Sequence, residues 1–373
     1  MKMGSHIKSI CIDTFRGIRS LQLDDLLPIN VLTGDNNCGK TSVLEVLESF
    51  GDPGEFRCWR TLLRKGDGSS LRGGLSYYEG FCGLFDADSE EKRLGYTIET
   101  ADGAVNHIVL SAQENTEELT EEEYAKLCGF SYEKEEGEES ALLAVPELLM
   151  EIRENDELLS RDCVYEGQRR FLISSERYQA DKKAGKKIIY VSPTRHAQGD
   201  VFLSSILSDS ELYEDMIDIL KEYDRDMISI NYDRDEKSIS GRGIYKILSK
   251  SHKKALPLNV YGDGMKKALL LMSAVVRAKD GILLLDEFET AIHTSAMDKT
   301  FRWILETCMK LNVQVFLTSH SKEAIDKVLK CAPDLQNEIA VYTLYKNQEK
   351  TIARRLTGKK AVVVQDDMGL ELR

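Results

Sequence analysis

A phosphate-binding loop is indicated by the stretch VLTGDNNCGKTS at residues 31–42. Gly34 is followed by four residues and then by Gly39, Lys40 and Thr41. Glycines let the backbone curl around an anion so that several N–H groups converge on it. Lys40 is expected to reach the β- and γ-phosphates of ATP, and the Thr41 hydroxyl is expected to bind Mg²⁺. The other loop positions assigned to the nucleotide are Asn36, Asn37, Cys38 and Ser42.

A second set of chemical groups follows the apolar run in GILLLDEFETAIHTS, residues 281–295. The run indicates a buried strand that ends at Asp286 and Glu287. An aspartate at this position holds Mg²⁺ and its water shell, and a glutamate directly after it can polarise an attacking water. Together with the phosphate-binding loop, these acids predict ATP hydrolysis.

A histidine follows the next buried strand, in VQVFLTSHSKEAID at residues 313–326. His320 stands between this strand and a helix, so it is placed to contact the γ-phosphate and to sense whether it is present. A lone histidine is more often structural, but the position after the acidic strand favours a role in catalysis.

The elements that must position these groups follow from the pattern of apolar residues. Strand, turn and strand precede the phosphate-binding loop, and an Asp-Gly turn at 102–103 predicts a hairpin. Residues 202–256 are predicted to be mainly amphipathic helix. From residue 265 the order is helix, strand, helix, strand, helix, and then a hairpin at 339–355. The nucleotide-binding fold is therefore expected to be split around insertions.

Composition excludes several classes of protein. The chain has 373 residues, of which 42% are hydrophobic, enough for a large core. No apolar run is long enough to span a membrane, and its eight cysteines form no CxxC pair. These features predict a cytoplasmic protein with neither disulfides nor a zinc site. Of the net charge of −13, residues 114–139 carry −9, which predicts a local acidic insertion that is solvated or docks a basic partner.

The predicted organisation has five parts. They are an ATPase lobe with the phosphate-binding loop at 1–112, an acidic insertion at 113–160, a central strand and linker at 161–200, a helical subdomain at 201–260, and the rest of the ATPase lobe at 261–373.

Four segments resemble the OLD family (overcoming lysogenization defect) of ABC-type ATPase heads. They are FRGIRSLQL, LTGDNNCGKTSVLEVL, LLLDEFETAIH and LTSHS. The resemblance covers roughly residues 5 to 60 and 255 to 330. It implies an α/β fold with a mixed central sheet, helices on both of its faces, an antiparallel β subdomain and a helical insert.

The resemblance also implies roles for residues outside the motifs above. YGDGMKK at 261–267 stands at the signature loop, where Gly262 and Gly264 would present N–H groups to ATP bound by the other subunit of a head-to-tail dimer. His293 matches the histidine of the family's acidic-strand extension. Gln198 is the candidate for the glutamine that links the two lobes and contacts the metal.

The sequence departs from the OLD nucleases at its end. These nucleases carry a Toprim nuclease domain of about 100 residues, whereas 53 residues follow His320. AVVVQDD at 361–367 is interpreted as a terminal strand or tail. The resemblance therefore implies a standalone ATPase that regulates a separate effector, such as a Toprim-type nuclease, in anti-phage defence.

We considered two alternative functions, of which one remains open. A DNA-repair ATPase of the RecF or SMC kind has a similar order of motifs, and nucleic-acid binding stays open because the acidity is local. A transporter ATPase is disfavoured because the sequence lacks LSGGQ and has long insertions.

Overall fold

The computed structural model describes residues 6–63, 74–130, 141–170, 178–180, 185–193, 201–233, 243–290, 292, 294–348 and 350–368. Within these ranges the chain forms three β-sheets with helices packed around them. No helix in them is both long and apolar enough to cross a lipid bilayer.

The first sheet is antiparallel. In spatial order its strands are β2 (Ile18–Leu23), β1 (Ile7–Phe15), β4 (Arg93–Thr100), β5 (Val105–Thr120), β6 (Leu142–Glu154), β7 (Glu157–Tyr165) and β8 (Tyr178–Gln179). One face of β1 is buried, with Ile10 and Ile12 almost fully enclosed. The predicted hairpin joins β4 to β5, where Gly103 has a φ of 91° that suits glycine.

The acidic segment continues this sheet. The outer half of β5 pairs with β6 up to the Thr120–Leu142 pair, and helix α4 (Glu121–Cys128) follows directly. Thr120 and Glu123 form a capping box that begins α4. The predicted domain boundaries after residues 112 and 160 therefore fall inside β5 and β7, because the hydrogen-bonded ladder runs across both positions.

The second sheet carries the predicted nucleotide-binding strands. In spatial order it contains β16 (Lys350–Thr357), β15 (Ile339–Asn347), β3 (Ile29–Gly34), β14 (Gln314–Thr318), β13 (Ile282–Leu285) and β9 (Ile188–Val191). β16 is antiparallel to β15, and the other neighbours pair in parallel. Every residue of β3, β13 and β14 is buried, as expected for a parallel sheet covered on both faces.

Helices cover both faces of the second sheet. The remaining helices are α1 (Lys40–Ser49), α2 (Phe56–Thr61), α3 (Tyr77–Cys82), α5 (Ser204–Leu207), α6 (Ser210–Leu220), α7 (Asp263–Arg277), α8 (Thr294–Lys310), α9 (Lys322–Lys330) and α10 (Gly358–Met368). One core lies between α1, the antiparallel sheet and the face that carries Leu284. The other lies between α6–α9 and the face that carries Leu283 and Leu285.

The third sheet corrects a prediction. It contains β10 (Met227–Asp233), β11 (Ile244–Ser249) and β12 (Leu256–Pro257), where the sequence predicted mainly helix over 202–256. Among the described residues of that region, only α5 and α6 are helical. The runs MISINY and IYKIL are rich in β-branched and aromatic residues, which pack well on a pleated surface.

The predicted terminal strand or tail at 361–367 is also wrong, because this segment belongs to α10. Ala361 is fully buried, and the partly buried Val362 and Val364 pack against the core. An ion pair of 2.7 Å joins Asp366 to Lys330 of α9. Packing against a neighbouring helix thus decides the conformation of a valine-rich run that by itself favours a strand.

A buried glutamine ties the two large sheets together. Gln314, at the start of β14, is fully buried. Its Oε1 accepts hydrogen bonds from the N–H groups of His6 (3.0 Å) and Ile7 (2.7 Å). Its Nε2 donates to the carbonyl oxygens of Ile7 (2.9 Å) and Leu27 (3.1 Å). One side chain therefore fixes the start of β1 against the parallel sheet.

We predict that Gln314→Leu lowers the free energy of unfolding by about 3 kcal/mol, because it leaves buried backbone groups without partners. Urea denaturation followed by circular dichroism measures the change. Gln22→Leu, at an exposed position on β2, is the matched control and should change stability by less than about 0.5 kcal/mol. Equal stability of the two variants would contradict the role of Gln314.

Candidate nucleotide site

The loop between β3 and α1 has the tight curvature that the motif predicts. Gly34 has a φ of 132° and Gly39 a φ of 104°, values that L side chains rarely adopt. A Cβ on Gly34 would also lie 2.2 Å from the carbonyl oxygen of Leu344 in β15. Asn36 and Asn37 are exposed on the outside of the loop. The geometry of the loop therefore requires both glycines.

Lys40 places a buried positive charge in this loop. It is 5% exposed, and its ammonium donates hydrogen bonds of 2.8 Å to the carbonyl oxygens of Gly34 and Asp35. Its Nζ lies 3.6 Å from the sulfur of Cys38, which is itself buried. Ser42, two residues further along α1, is also buried. An ammonium beside a helix N-terminus suits a phosphate, because both attract negative charge.

Asp286, directly after β13, accepts from the hydroxyls of three different elements in the described structure. The Thr41 hydroxyl of α1 lies 3.0 and 3.2 Å from its two carboxylate oxygens. The Tyr190 hydroxyl of β9 lies at 3.3 Å, and the Thr318 hydroxyl of β14 also donates to the carboxylate. The pKa of the Tyr190 phenol is raised far above its usual value, mainly by burial and secondly by the negative charge of Asp286. The two predicted motifs, 245 residues apart, thus meet in one place.

The donors at this point fit Mg²⁺. Thr41 and Asp286 offer a hydroxyl and a carboxylate, and Mg²⁺ prefers oxygen ligands. The ion usually takes one or two protein ligands and completes its shell with waters and phosphate oxygens. The described residues contain no group of three or more His, Cys, Asp or Glu side chains arranged to hold a metal.

Glu287 and His320 lie side by side. The His320 Nε2 is 3.6 Å from a Glu287 carboxylate oxygen, and both side chains are about 40% exposed, at 39% and 41%. Glu287 has a φ of 45°, which is unusual for a residue other than glycine. The structure therefore brings both predicted catalytic residues to the edge where β13 and β14 end, with their side chains accessible to solvent.

Glu289 is a member of the site that the sequence analysis did not identify. Its Oε1 accepts a hydrogen bond of 2.7 Å from the Ser319 hydroxyl and one of 3.4 Å from the His320 N–H. Its Oε2 is buried and has no hydrogen-bond partner among the described residues. The signal was available, because Glu289 is the third acid of the run DEFE.

Lys267 of α7 is the second residue that the sequence analysis missed. It is 3% exposed and lies close enough to Glu289, Asp286 and Glu287 for their charges to act on it. Burial lowers its pKa to about 7, although these acids oppose the shift. The available signal was a lysine at a helix position otherwise occupied by core residues, since Leu271 and Ala274 on the same face are buried.

The remaining predicted residues lie at the start of α7 or outside the described ranges. Gly262 is the N-cap of α7, is exposed, and has no atom within 4 Å of a Cβ built on it. Gly264 is half-buried in the first turn. Gln198 and His293 lie outside the described residues, so their predicted roles stay predictions.

These features define an ABC-type P-loop ATPase head. A mixed sheet carries the phosphate-binding loop after β3, the acids after β13 and the histidine after β14, and an antiparallel sheet packs on the side of α1. The predicted fold class is confirmed, except that the insert contains the third sheet as well as α5 and α6.

The chain belongs to the family described as "AAA domain, putative AbiEii toxin, Type IV TA system", whose model matches residues 29–326. This membership confirms the predicted enzyme class, an ATPase. An "ATP/GTP phosphatase" of Helicobacter pylori is 24% identical over an alignment 385 residues long. The alignment covers 95% of this chain and 96% of that protein. An uncharacterised protein of Methanocaldococcus jannaschii is 30% identical over 112 residues, 30% of this chain and 98% of that protein.

Two solved structures align with most of the chain. An Smc head domain bound to the C-terminal domain of ScpA, from Pyrococcus furiosus, aligns with 98% of this chain and 100% of its own at 9% identity and a TM-score of 0.49. The recombination mediator protein RecF with ATP aligns with 95% of this chain and 99% of its own at 15% identity and a TM-score of 0.43.

Proposed function

We propose that this ATPase hydrolyses ATP with Mg²⁺ at the edge of the second sheet, that two subunits close around the nucleotide, and that nucleotide state controls a separate effector. The observation that supports the catalytic part most directly is the contact of the Thr41 hydroxyl with the Asp286 carboxylate. In the proposed mechanism these two groups hold one Mg²⁺ between the phosphate-binding loop and the acidic strand.

In this proposal the phosphate-binding loop binds the phosphates, and residues that follow β13 and β14 catalyse the hydrolysis. Lys40 moves its ammonium from the carbonyls of Gly34 and Asp35 to phosphate oxygens, which carry more negative charge. A Mg²⁺ ion held by Thr41 and Asp286 would supply positive charge that offsets the negative charge of the phosphates. Gln198 is proposed as a further contact to it.

Glu287 is proposed as the group that orients and polarises the attacking water. Its carboxylate is partly exposed, so a water molecule can reach it. His320, beside it, is proposed to contact the γ-phosphate. The 3.6 Å separation lets the two side chains act on neighbouring atoms.

We predict that Glu287→Gln keeps ATP binding and lowers kcat at least about 100-fold, because a positioned general base contributes about that much. Lys40→Ala should lose ATP binding itself, because the phosphates lose their positive partner. Binding is measured with a fluorescent ATP analogue and turnover by phosphate release. Glu117→Gln, on the exposed part of β5, should behave as wild type, and wild-type turnover by Glu287→Gln would refute the assignment of the base.

The proposed dimer uses the exposed start of α7. Gly262 leaves space for a ligand at the helix N-terminus, and the neighbouring Val260 is 66% exposed. A partner's ATP bound there would meet free backbone N–H groups and would cover an apolar side chain. The OLD resemblance supports the head-to-tail arrangement, in which each site uses one subunit's phosphate-binding loop and the other's α7.

We predict that mixing Lys40→Ala with Gly264→Arg protein restores part of the activity that each variant lacks alone. A mixed dimer contains one site with an intact loop from one subunit and an intact α7 from the other. Turnover is measured against the mixing ratio, with sedimentation velocity in the presence of ATP. Mixing each variant with Lys40→Ala,Gly264→Arg double-mutant protein is the control and should restore nothing. A fully active monomer would rule out the composite site.

The proposal of a separate effector rests on the family description and the OLD resemblance, and not on the geometry of the nucleotide site. The family description names a toxin of a toxin–antitoxin system, and the OLD resemblance supports a separate nuclease partner in anti-phage defence. The β5–β6 arm and α4, with Glu121, Glu122 and Glu123 in its first turn, are proposed to dock a basic surface. A RecF- or SMC-like ATPase that acts on DNA is the alternative.

We predict that this protein copurifies with the product of the adjacent gene in an ATP-dependent way and does not itself degrade nucleic acid. The pull-down compares wild type with Glu287→Gln, which should retain the partner because it stays bound to ATP. Parallel assays measure DNA binding and DNA or tRNA cleavage with Mg²⁺. ATP-dependent DNA binding without a protein partner would favour the repair alternative, and cleavage that is lost in Lys40→Ala would refute the separate effector.

A further inference from the structure

Thr318, the last residue of β14, makes two hydrogen bonds through one hydroxyl group. The hydroxyl donates its proton to the Asp286 carboxylate, and its oxygen accepts the backbone N–H of Glu287 at 2.9 Å. Thr318 is 1% exposed. The donation to Asp286 fixes the rotation of the hydroxyl, so a lone pair faces the Glu287 N–H group.

The Glu287 backbone needs such an anchor. A φ of 45° places it in the left-handed region, where residues other than glycine are strained. Such conformations persist only where the surroundings determine them. Two further hydrogen bonds hold the same turn, from the Phe288 N–H to the Thr318 carbonyl oxygen (3.3 Å) and from the Thr290 N–H to the Glu287 carbonyl oxygen (3.0 Å). The Thr318 hydroxyl is the one side-chain group among these contacts.

We propose that Thr318 is a positioning residue that holds the Glu287 backbone in its left-handed conformation and thereby aims the carboxylate at the attacking water. The proposal rests on the proposed role of Glu287 as the base. It assigns Thr318 no contact with the nucleotide. The residue acts through Glu287, and Asp286 acts as the fixed acceptor that orients its hydroxyl.

The proposal assigns the positioning role to the hydroxyl group of Thr318 and not to its methyl group, and substitutions can test the two groups separately. Valine has the shape of threonine but neither donates nor accepts, so Thr318→Val leaves the Glu287 N–H without its acceptor. Serine keeps the hydroxyl and loses only the methyl group. In Thr318→Val the Asp286 carboxylate loses one hydroxyl donor and keeps those of Thr41 and Tyr190. The phosphate-binding loop lies on other elements, so we expect ATP binding to be largely retained.

The experiment measures kcat, KM and ATP binding for Thr318→Val and Thr318→Ser. Residues that orient a catalytic group through hydrogen bonds typically change activity about 10- to 100-fold. Thr318→Val should lower kcat by about that factor and leave KM for ATP within about twofold. Thr318→Ser should recover most of the loss. Thr307→Val, a buried threonine on α8 outside the site, should leave kcat and KM unchanged.

A double-mutant cycle with Glu287→Gln tests whether Thr318 acts through Glu287. If it does, adding Thr318→Val to Glu287→Gln lowers single-turnover hydrolysis by less than about twofold. A full additive loss, a wild-type kcat for Thr318→Val, or equal losses for the valine and serine variants would each overturn the proposal.

Failure of the Thr318 proposal can be distinguished from failure of the proposed role of Glu287. If Glu287→Gln turns over like wild type, the proposed base is wrong, whatever Thr318→Val does. If Thr318→Val does not fold, as judged by circular dichroism, Thr318→Ala replaces it and is compared with Thr318→Ser. A loss in the alanine variant that serine restores supports the hydroxyl's role, and equal losses refute it.

Discussion

The structure of the site depends on the parallel pairing of three buried strands. β14 lies between β3 and β13, with Thr318 opposite Leu32 and Leu317 opposite Leu285. This register brings the carboxyl ends of all three strands to one edge, as the parallel sheet requires. The Thr41 hydroxyl can reach the Asp286 carboxylate only because α1 begins at the end of β3 and β13 stops two strands away. A slip of one residue would turn each strand's side chains to the opposite face.

The edge of the sheet concentrates charges that burial makes costly. Asp286 is 2% exposed, Lys267 3% and Lys40 5%. Isolated buried charges are strongly unfavourable, so each needs partners. The Asp286 carboxylate accepts hydrogen bonds from hydroxyl groups, and Lys40 donates hydrogen bonds to the carbonyl oxygens of the loop. Lys267 lies near three acidic side chains. In the proposed function, a nucleotide and a Mg²⁺ ion would provide further partners for Lys40 and Asp286.

The antiparallel sheet packs against the site, where Ile18 of β2 lies beside Gly39 of the phosphate-binding loop; its described residues supply none of the polar groups named above. It packs on the face of the second sheet that carries α1, and Gln314 joins the start of β1 to β14. The long β5–β6 pair then extends the same sheet into the acidic segment with α4. Among the described residues, a hydrogen-bonded sheet and the core beneath it connect the acidic segment to the nucleotide site.

Local sequence determined the parts of this protein in which a short stretch specifies its own geometry. The phosphate-binding loop needs glycine at 34 and 39 whatever surrounds it, the Asp-Gly turn makes its own hairpin, and a continuous apolar run ending in acids specifies β13. The class of enzyme and most of the site followed from these segments, because their chemistry depends on spacing within a dozen residues.

Tertiary structure alone decided the rest. Ala361 and its valine neighbours form a helix because they pack on α9 and β15, and the residues after Asp226 form a sheet because they pair with each other. Glu289 and Lys267 join the site through contacts with elements distant in the chain, so the DEFE run and the buried face of α7 could mark them as candidates but could not place them in the site. The same holds for Thr318, since a threonine at the end of a strand becomes an anchor only when the acids of the neighbouring strand lie against its hydroxyl.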